Sequence, residues 1–343
     1  MTAELRISRS RLAANIAAVR ERIAPSELLM VVKDDAYGHG IPAAVETALE
    51  AGVRWFGAFD VRGGLRVRET AGDRARVFSW LTVGAEEARR ALDAGIELGV
   101  GDADFLERVA EAARRPAVVH LKIDTGLHRN GVRPEEWPEF VARAAELERA
   151  GRIRVAGVWS HIAEASDAED DASRAVFDDA VAAARTAGLR PEVRHLAASA
   201  AGWARAEFRY DLVRVGAFCY GVRSADGPGL PGIAPAATLV ARVVAARGDH
   251  VVIGIGALDG LPTTLAGRVD VGTPAGARRL LDVDLVTSRV ASWPGAATGD
   301  EVAVFGPGAA GEPSATTLAE AIGTVGEEPL LRLSPLIPRV LVA

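Results

Sequence analysis

Between residues 9 and 225, short β-branched runs alternate with longer helical segments, and this alternation constrains the fold more than any other property of the chain. Parallel strands joined by crossover helices are the simplest way to bury the apolar faces of both. The strand runs fall at 28–32, 54–59, 76–81, 96–100, 117–123, 155–159, 192–196 and 212–215. Helical segments fall at 11–22, 42–51, 63–71, 85–94, 104–114, 134–150, 172–187 and 199–207. Ser10 and Asp102 or Asp104 are suited to open helices, and Gly52, Gly95 and Gly188 to close them. Eight βα units in about 220 residues is the dimension of a (β/α)8 TIM barrel. The competing arrangement, an open doubly wound sheet, ordinarily carries a glycine-rich phosphate turn after its first strand, and none follows residue 32.

After about residue 225 the rhythm changes. Runs at 238–246, 250–255, 267–271, 281–287, 301–305 and 339–342 follow one another with Gly and Pro punctuation and a single helical segment at 314–322, the pattern of a mostly antiparallel β domain. The expected division is a barrel over 9–225 and a β domain over 226–343, with residues 1–8 as an added strand.

Composition narrows the partners. A net charge of −6 without any Lys/Arg run excludes an obvious nucleic-acid surface, and no stretch holds the roughly 18 apolar residues that cross a bilayer. The single cysteine, Cys219, permits no internal disulfide, and the N-terminal stretch reads as a strand and an Arg-studded helix rather than a secretory signal. The expectation is a cytoplasmic protein with a small-molecule substrate and neither a nucleic acid nor a membrane partner.

Among forty basic residues only Lys33 and Lys122 are lysines. A chain that uses arginine wherever it needs charge has kept two groups that can lose a proton, attack a carbonyl or take up carbon dioxide. Barrel chemistry gathers at the C-terminal ends of the strands. There the expected strands deliver Lys33, Asp60, Lys122, Asp124 with Arg129 beyond, Ser160 and His161, His195 with Ser199 opening the next helix, and Arg214 followed by Gly216. An imine-forming lysine beside hydroxyl and backbone N–H donors suggests pyridoxal phosphate. A metal centre is disfavoured because His161, His195 and Asp124 lack the i, i+3 or i+4 spacing of a ligand set.

These segments resemble the alanine racemase family, fold-type III pyridoxal-phosphate enzymes with an N-terminal barrel and a C-terminal β domain. VVKDDAYGHG resembles the cofactor-lysine signature, LKIDTGLHRNGV the segment whose lysine becomes carbamylated, and SHIAEASD, HLAASA and RVGAFCYG the later strand ends. The resemblance implies that Lys33 holds pyridoxal 5′-phosphate covalently and that Tyr37, His195, Ser199, Arg214, Gly216 and Ala217 bind it. It further implies that Arg214 faces the pyridine nitrogen, that a carbamylated Lys122 orients Arg129, that His161 takes part in catalysis, and that a homodimer shares its active sites.

The resemblance breaks in the second half. The family carries its second base, a tyrosine supplied across the dimer interface, in a GYxDG motif; here the stretch is Gly256, Ala257, Leu258, Asp259, Gly260. A second family tyrosine aligns with Glu327, and the family's Met-Asp segment aligns with Asp282, Val283 and Asp284. Only Tyr37, Tyr210 and Tyr220 occur in the chain. A positioned general base is worth roughly 10²–10⁴ in rate. The expectation is therefore an alanine-racemase-type enzyme, impaired or altered in inversion. The alternatives are a one-base pyridoxal-phosphate enzyme acting at Cα, of decarboxylase, lyase or aldolase type, and a non-catalytic cofactor-binding homologue. His161 acting through water, or Asp259, would be the substitute acid or base.

Overall fold

All eight expected barrel runs form strands in the computed structural model, which describes residues 2–82, 84–163, 166–224 and 227–343. The chain forms two units: Val19–Lys33 with Ala48–Gly216, and Met1–Ala18 with Asp34–Thr47 and Ala217–Ala343. The expected boundary at Ala225 and Asp226 lies outside the described residues, as do Glu164 and Ala165 of the SHIAEASD segment.

Counting from β1 (Ala3–Ser8), the barrel strands are β2 (Glu27–Val31), β3 (Trp55–Asp60), β4 (Arg76–Leu81), β5 (Glu97–Val100), β6 (Ala117–Lys122), β7 (Ile153–Trp159), β8 (Val193–His195) and β9 (Leu212–Val215). Every ladder is parallel, in the order β8-β7-β6-β5-β4-β3-β2-β9. Backbone bonds from Asp211 N–H to Arg194 O and from Arg214 N–H to Ala197 O, both 3.2 Å, join β9 to β8 and close the ring. This is a (β/α)8 barrel. Asp60 and Asp102 cap the helices Val61–Ala71 and Ala103–Ala112, each accepting a backbone N–H at 2.7 Å. Asp60 is thereby a helix cap, although the sequence placed it among the polar groups of the barrel mouth.

Branched aliphatic layers usually fill such a barrel. Here aromatic and ionic side chains occupy much of the interior. Phe78 lies 4.7 Å from His120 and 5.3 Å from Trp159, and Trp159 stacks on His195 at 5.7 Å between ring centroids. Glycines make the room. A Cβ at Gly57 would stand 2.3 Å from Leu29, one at Gly99 3.0 Å from Trp159, and one at Gly157 2.3 Å from His120 Nδ1.

The other unit is built on β1, β10 (Ala237–Arg247), β11 (His250–Ile253), β12 (Asp270–Thr273), β13 (Gly276–Val283), β14 (Ser288–Ala291), β15 (Glu301–Phe305) and β16 (Arg339–Val342). Six of them close on themselves, because β10 pairs with both β11 and β15 across two register shifts. β1 adds antiparallel to β10, and β16 adds parallel to β1. The β domain is mostly antiparallel, as its sequence rhythm implied. Two expected strands are displaced: the run at 267–271 begins in a turn and becomes strand only from Asp270, as β12, and 281–287 is instead the end of β13 and a turn closed by Asp284 N–H to Thr287 O at 2.9 Å. Its apolar residues Leu285 and Val286 are 67% and 62% exposed, so an apolar run here does not mark burial. The first helix is likewise capped by Ser8, whose Oγ accepts the Arg11 N–H, rather than by Ser10.

Because the Gly157 position is filled by a rigid ring, Gly157→Ala is expected to destabilise the protein by about 1–3 kcal/mol in urea unfolding. A loss below about 0.5 kcal/mol, the range of an unremarkable surface change, would show that the interior has slack there.

Candidate active site

β2 runs straight into the lysine. Val32 N–H bonds to Gly57 O at 2.9 Å, and the half-buried Lys33 follows at the C-terminal end of the barrel strands. Immediately afterwards Asp34, Asp35, Ala36 and Tyr37 all have φ between 53° and 58°, a left-handed turn made without glycine. Such a turn costs roughly 1–2 kcal/mol per residue. It is held by Gly38 N–H to Asp34 O at 2.9 Å, Gly40 N–H to Asp35 O at 2.8 Å, and Ile41 N–H to Asp35 Oδ1 at 2.9 Å. Strain of this kind gathers at functional sites.

Arg214, buried at the end of β9, is anchored on backbone. Its guanidinium donates to His195 O at 2.8 Å, Ser160 O at 2.7 Å and Leu196 O at 2.8 Å, and also to His195 Nδ1 at 3.2 Å and His161 Nδ1 at 3.3 Å. Arginine does not surrender its proton, so both Nδ1 atoms must offer lone pairs and each ring carries its proton on Nε2. Burial first, and then the charges of Arg214, Arg129, Lys122 and Lys33, push His161 down to about 3. His161 is neutral at pH 7 and presents an N–H.

Lys122 closes β6 with its Nζ 4.6 Å from the Trp159 ring centroid. Burial, followed by repulsion from Arg214 and Arg129, lowers it to about 8, so about one amine in ten is neutral at pH 7. Asp124 does not pair with it by hydrogen bond. Its carboxylate accepts Gly126 and His128 N–H at 3.0 and 3.1 Å and meets the His128 ring at 3.1 Å, shaping the loop. Arg129 stands exposed on that loop, making no hydrogen bond or ion pair among the described residues, although its charge reaches Lys122 and His161. Ser199 opens the short helix Ser199–Ala204, and its Oγ accepts the Gly216 N–H at 3.3 Å. The structure thus gathers Lys33, Lys122, Arg129, His161, His195, Ser199, Arg214 and Gly216 at one end of the barrel unit.

Within the other unit, Tyr37 is buried 4.9 Å from the Tyr220 ring, with the Ala217 N–H bonded to its hydroxyl. Burial, with the Glu327 and Asp34 charges adding to it, raises the Tyr37 phenol far above its ordinary value. Ala257 begins a single 3-10 turn whose N–H bonds to Asp284 O at 2.9 Å, and the neighbouring Leu258 N–H bonds to Leu285 O at 2.9 Å. The two segments aligned from sequence are therefore side by side. The Asp259 carboxylate accepts the Gly256 N–H at 3.0 Å and so braces its own turn.

Sequence reasoning missed Glu97 and His120, buried inside the barrel below the mouth, and the partly exposed Arg76 at the start of β4 that pairs with Glu97. A signal existed for one of them: strand period two places His120 on the same face as Lys122.

A family model described as "Alanine racemase, N-terminal domain" matches residues 7–224. The alanine racemase of Thermobifida fusca is 37% identical, the match covering 98% of this chain and 97% of that one. That of Beutenbergia cavernae is 38% identical over 96% and 95%. The chain belongs to the alanine racemase family, a family of isomerases. The solved alanine racemase from Streptomyces coelicolor A3(2) superposes with a TM-score of 0.94 at 32% identity, covering 99% of this chain and 98% of that one. The family's enzyme from Corynebacterium glutamicum superposes with a TM-score of 0.90 at 28% identity over 99% of both.

A buried ammonium beside two guanidinium groups is costly, which sets the sign of a pH test. Folding lowers Lys122 from about 10.5 to about 8, so between these values the unfolded chain binds more protons and stability rises with pH. In buffer free of carbon dioxide, Lys122→Met is expected to be more stable than the parent at pH 7 by roughly 2 kcal/mol, with the gap closing toward pH 10.5. A gap that stays constant across that window would contradict the assignment.

Proposed function

We propose that this chain binds pyridoxal 5′-phosphate through Lys33 and acts at Cα of a small amino acid, alanine or a close relative, as an alanine-racemase-type enzyme with slowed inversion. The observation that carries the reading is the charge at the barrel mouth. Lys33, Lys122, Arg129 and Arg214 all act on His161, and the buried Asp124 carboxylate is engaged by its own loop. A site so positive suits an anionic cofactor and a carboxylate substrate.

When bound, the cofactor supplies an electron sink that acidifies the Cα proton. Lys33 is the base that takes and returns that proton on its own face. Arg214 keeps its proton, so a ring nitrogen held against it, as the resemblance implies, would stay unprotonated, which would restrain carbanion character. His195 and Ser199 secure Arg214 and the Gly216 backbone respectively. His161 supplies an N–H donor rather than a basic nitrogen. The neutral fraction of Lys122 can add carbon dioxide, the amine forming an N–C bond and releasing a proton, and the resulting carboxylate would orient Arg129. The resemblance assigns Tyr37 and the Ala217 backbone to the phosphate, and these two are bonded to each other in their own unit. It also supports the barrel and β domain boundaries at 225 and 226, a homodimer with shared sites and a cytoplasmic location. No helix among the described residues is long and apolar enough to cross a membrane.

Ala257, in place of the family tyrosine, leaves no phenol for the opposite face. A second reading has its own support: Glu327 acts on the buried Tyr37, and a carboxylate there repels a phosphate dianion. That favours a homologue with weakened cofactor affinity.

Incubation with either alanine enantiomer in D₂O tests the proposal. Cα deuteration with retention should outpace inversion, and Ala257→Tyr should raise the inversion rate by about 10² or more. Equal rates of retention and inversion in the parent would show that another residue serves as the second base, and no exchange at all would favour the non-catalytic reading.

A further inference from the structure

A continuous file of hydrogen bonds descends from Arg214 through the barrel core. Arg214 Nη1 meets His195 Nδ1 at 3.2 Å, His195 Nε2 meets His120 Nδ1 at 2.8 Å, and His120 Nε2 meets Glu97 Oε2 at 2.8 Å. Glu97 in turn receives Arg76 at 2.5 and 2.8 Å, and Arg76 reaches Glu192 at 2.9 Å. His120 and His195 are fully buried, and Glu97 is buried too.

Both ends of this file force one proton arrangement. Arg214 has no lone pair to offer, so His195 must accept at Nδ1 and carry its hydrogen on Nε2. That hydrogen points at His120 Nδ1, which must then be bare, leaving the His120 hydrogen on Nε2 and directed at Glu97. From the other end, burial raises Glu97, but the bonds from His120 and Arg76 outweigh it and draw the carboxyl down to about 2, so Glu97 is an acceptor only. The two arguments agree at every link. Reversal of His120 alone would set N–H against N–H between the two rings, and reversal of His195 or of both rings would do so at Arg214.

The rings are also fixed in place. His120 fits only because residue 157 is glycine, with Trp55 edge-on at 6.1 Å and Phe78 at 4.7 Å, while His195 lies flat against Trp159 at an interplanar angle of 5°.

We propose that Glu97 and His120 are positioning residues: through two fixed imidazoles the Glu97 carboxylate sets the His195 tautomer, and that tautomer seats the Arg214 guanidinium at the mouth. The functional half of this proposal rests on Arg214 facing the pyridoxal phosphate ring; the structural half does not.

The test uses ¹⁵N-histidine-labelled full-length protein without cofactor, with the two rings assigned by His120→Asn and His195→Asn. Bare and protonated imidazole nitrogens resonate far apart, so each tautomer is read directly. In the parent both rings should be Nε2–H. In Glu97→Gln the new amide N–H can donate to His120 and reverse the file, so a Nδ1–H population should appear at His120, while Glu97→Asp should keep the parent pattern. Pyridoxal phosphate titrated into the same samples should bind about tenfold more weakly to Glu97→Gln than to the parent, with Glu97→Asp restored toward it. A Nδ1–H or doubly protonated ring in the parent overturns the proposal even if no variant folds. Unchanged tautomers or unchanged cofactor affinity in a folded Glu97→Gln overturn it as well. If the parent binds no pyridoxal phosphate, the functional reading falls, and the tautomers still decide the relay.

Discussion

Arg214 is a permanent charge in a place where charge is expensive, and the rest of the barrel mouth is arranged around that fact. Its guanidinium is held by three strand-end carbonyls and two imidazole lone pairs, so it can neither move aside nor become neutral. Lys122, His161 and His195 yield instead. Burial and that fixed charge lower Lys122 to about 8 and His161 to about 3, leaving an amine partly neutral and an imidazole that donates rather than accepts. The same charges that repel one another at the mouth are the ones an anionic ligand would relieve.

The packing beneath serves the same end. A barrel filled with aliphatic layers would be stable, but it would carry no hydrogen-bond file from its interior to a polar group at its mouth. Here glycines at 57, 99 and 157 open space for Trp, Phe and His rings, and the rings carry a directed hydrogen-bond file from the buried Glu97 to Arg214. Trp159 contributes to both layers: two cations, Lys122 at 4.6 Å and Arg214 at 5.3 Å, lie over its ring, and His195 stacks on it.

Much of this was legible in the residues before any coordinates. Strand periodicity and turn residues located the barrel strands to within two residues at either end, because parallel barrel strands are buried on both faces and read as unbroken apolar runs. The mouth residues were legible because they stand at strand ends beside glycines and turn formers. The left-handed turn after Lys33 was not, since Asp34, Asp35 and Tyr37 carry no conformational label that glycine would have supplied. Glu97 and His120 escaped notice because a polar or ionic residue within a strand reads as its solvent face, and only the closed ring turns that face inward; Arg76, partly exposed where β4 begins, reads as an ordinary surface arginine. Leu285 and Val286 misled in the opposite direction, as apolar residues on an exposed turn.

With only two lysines in the chain, the assignment of the reactive amine can be decided by one experiment. The protein is loaded with pyridoxal phosphate, reduced with borohydride to trap any C=N bond as a stable amine, and mapped by peptide mass spectrometry. A pyridoxyl increment on the peptide bearing Lys33, absent from Lys33→Ala, is the predicted result. A label on Lys122, or on neither lysine, would contradict it.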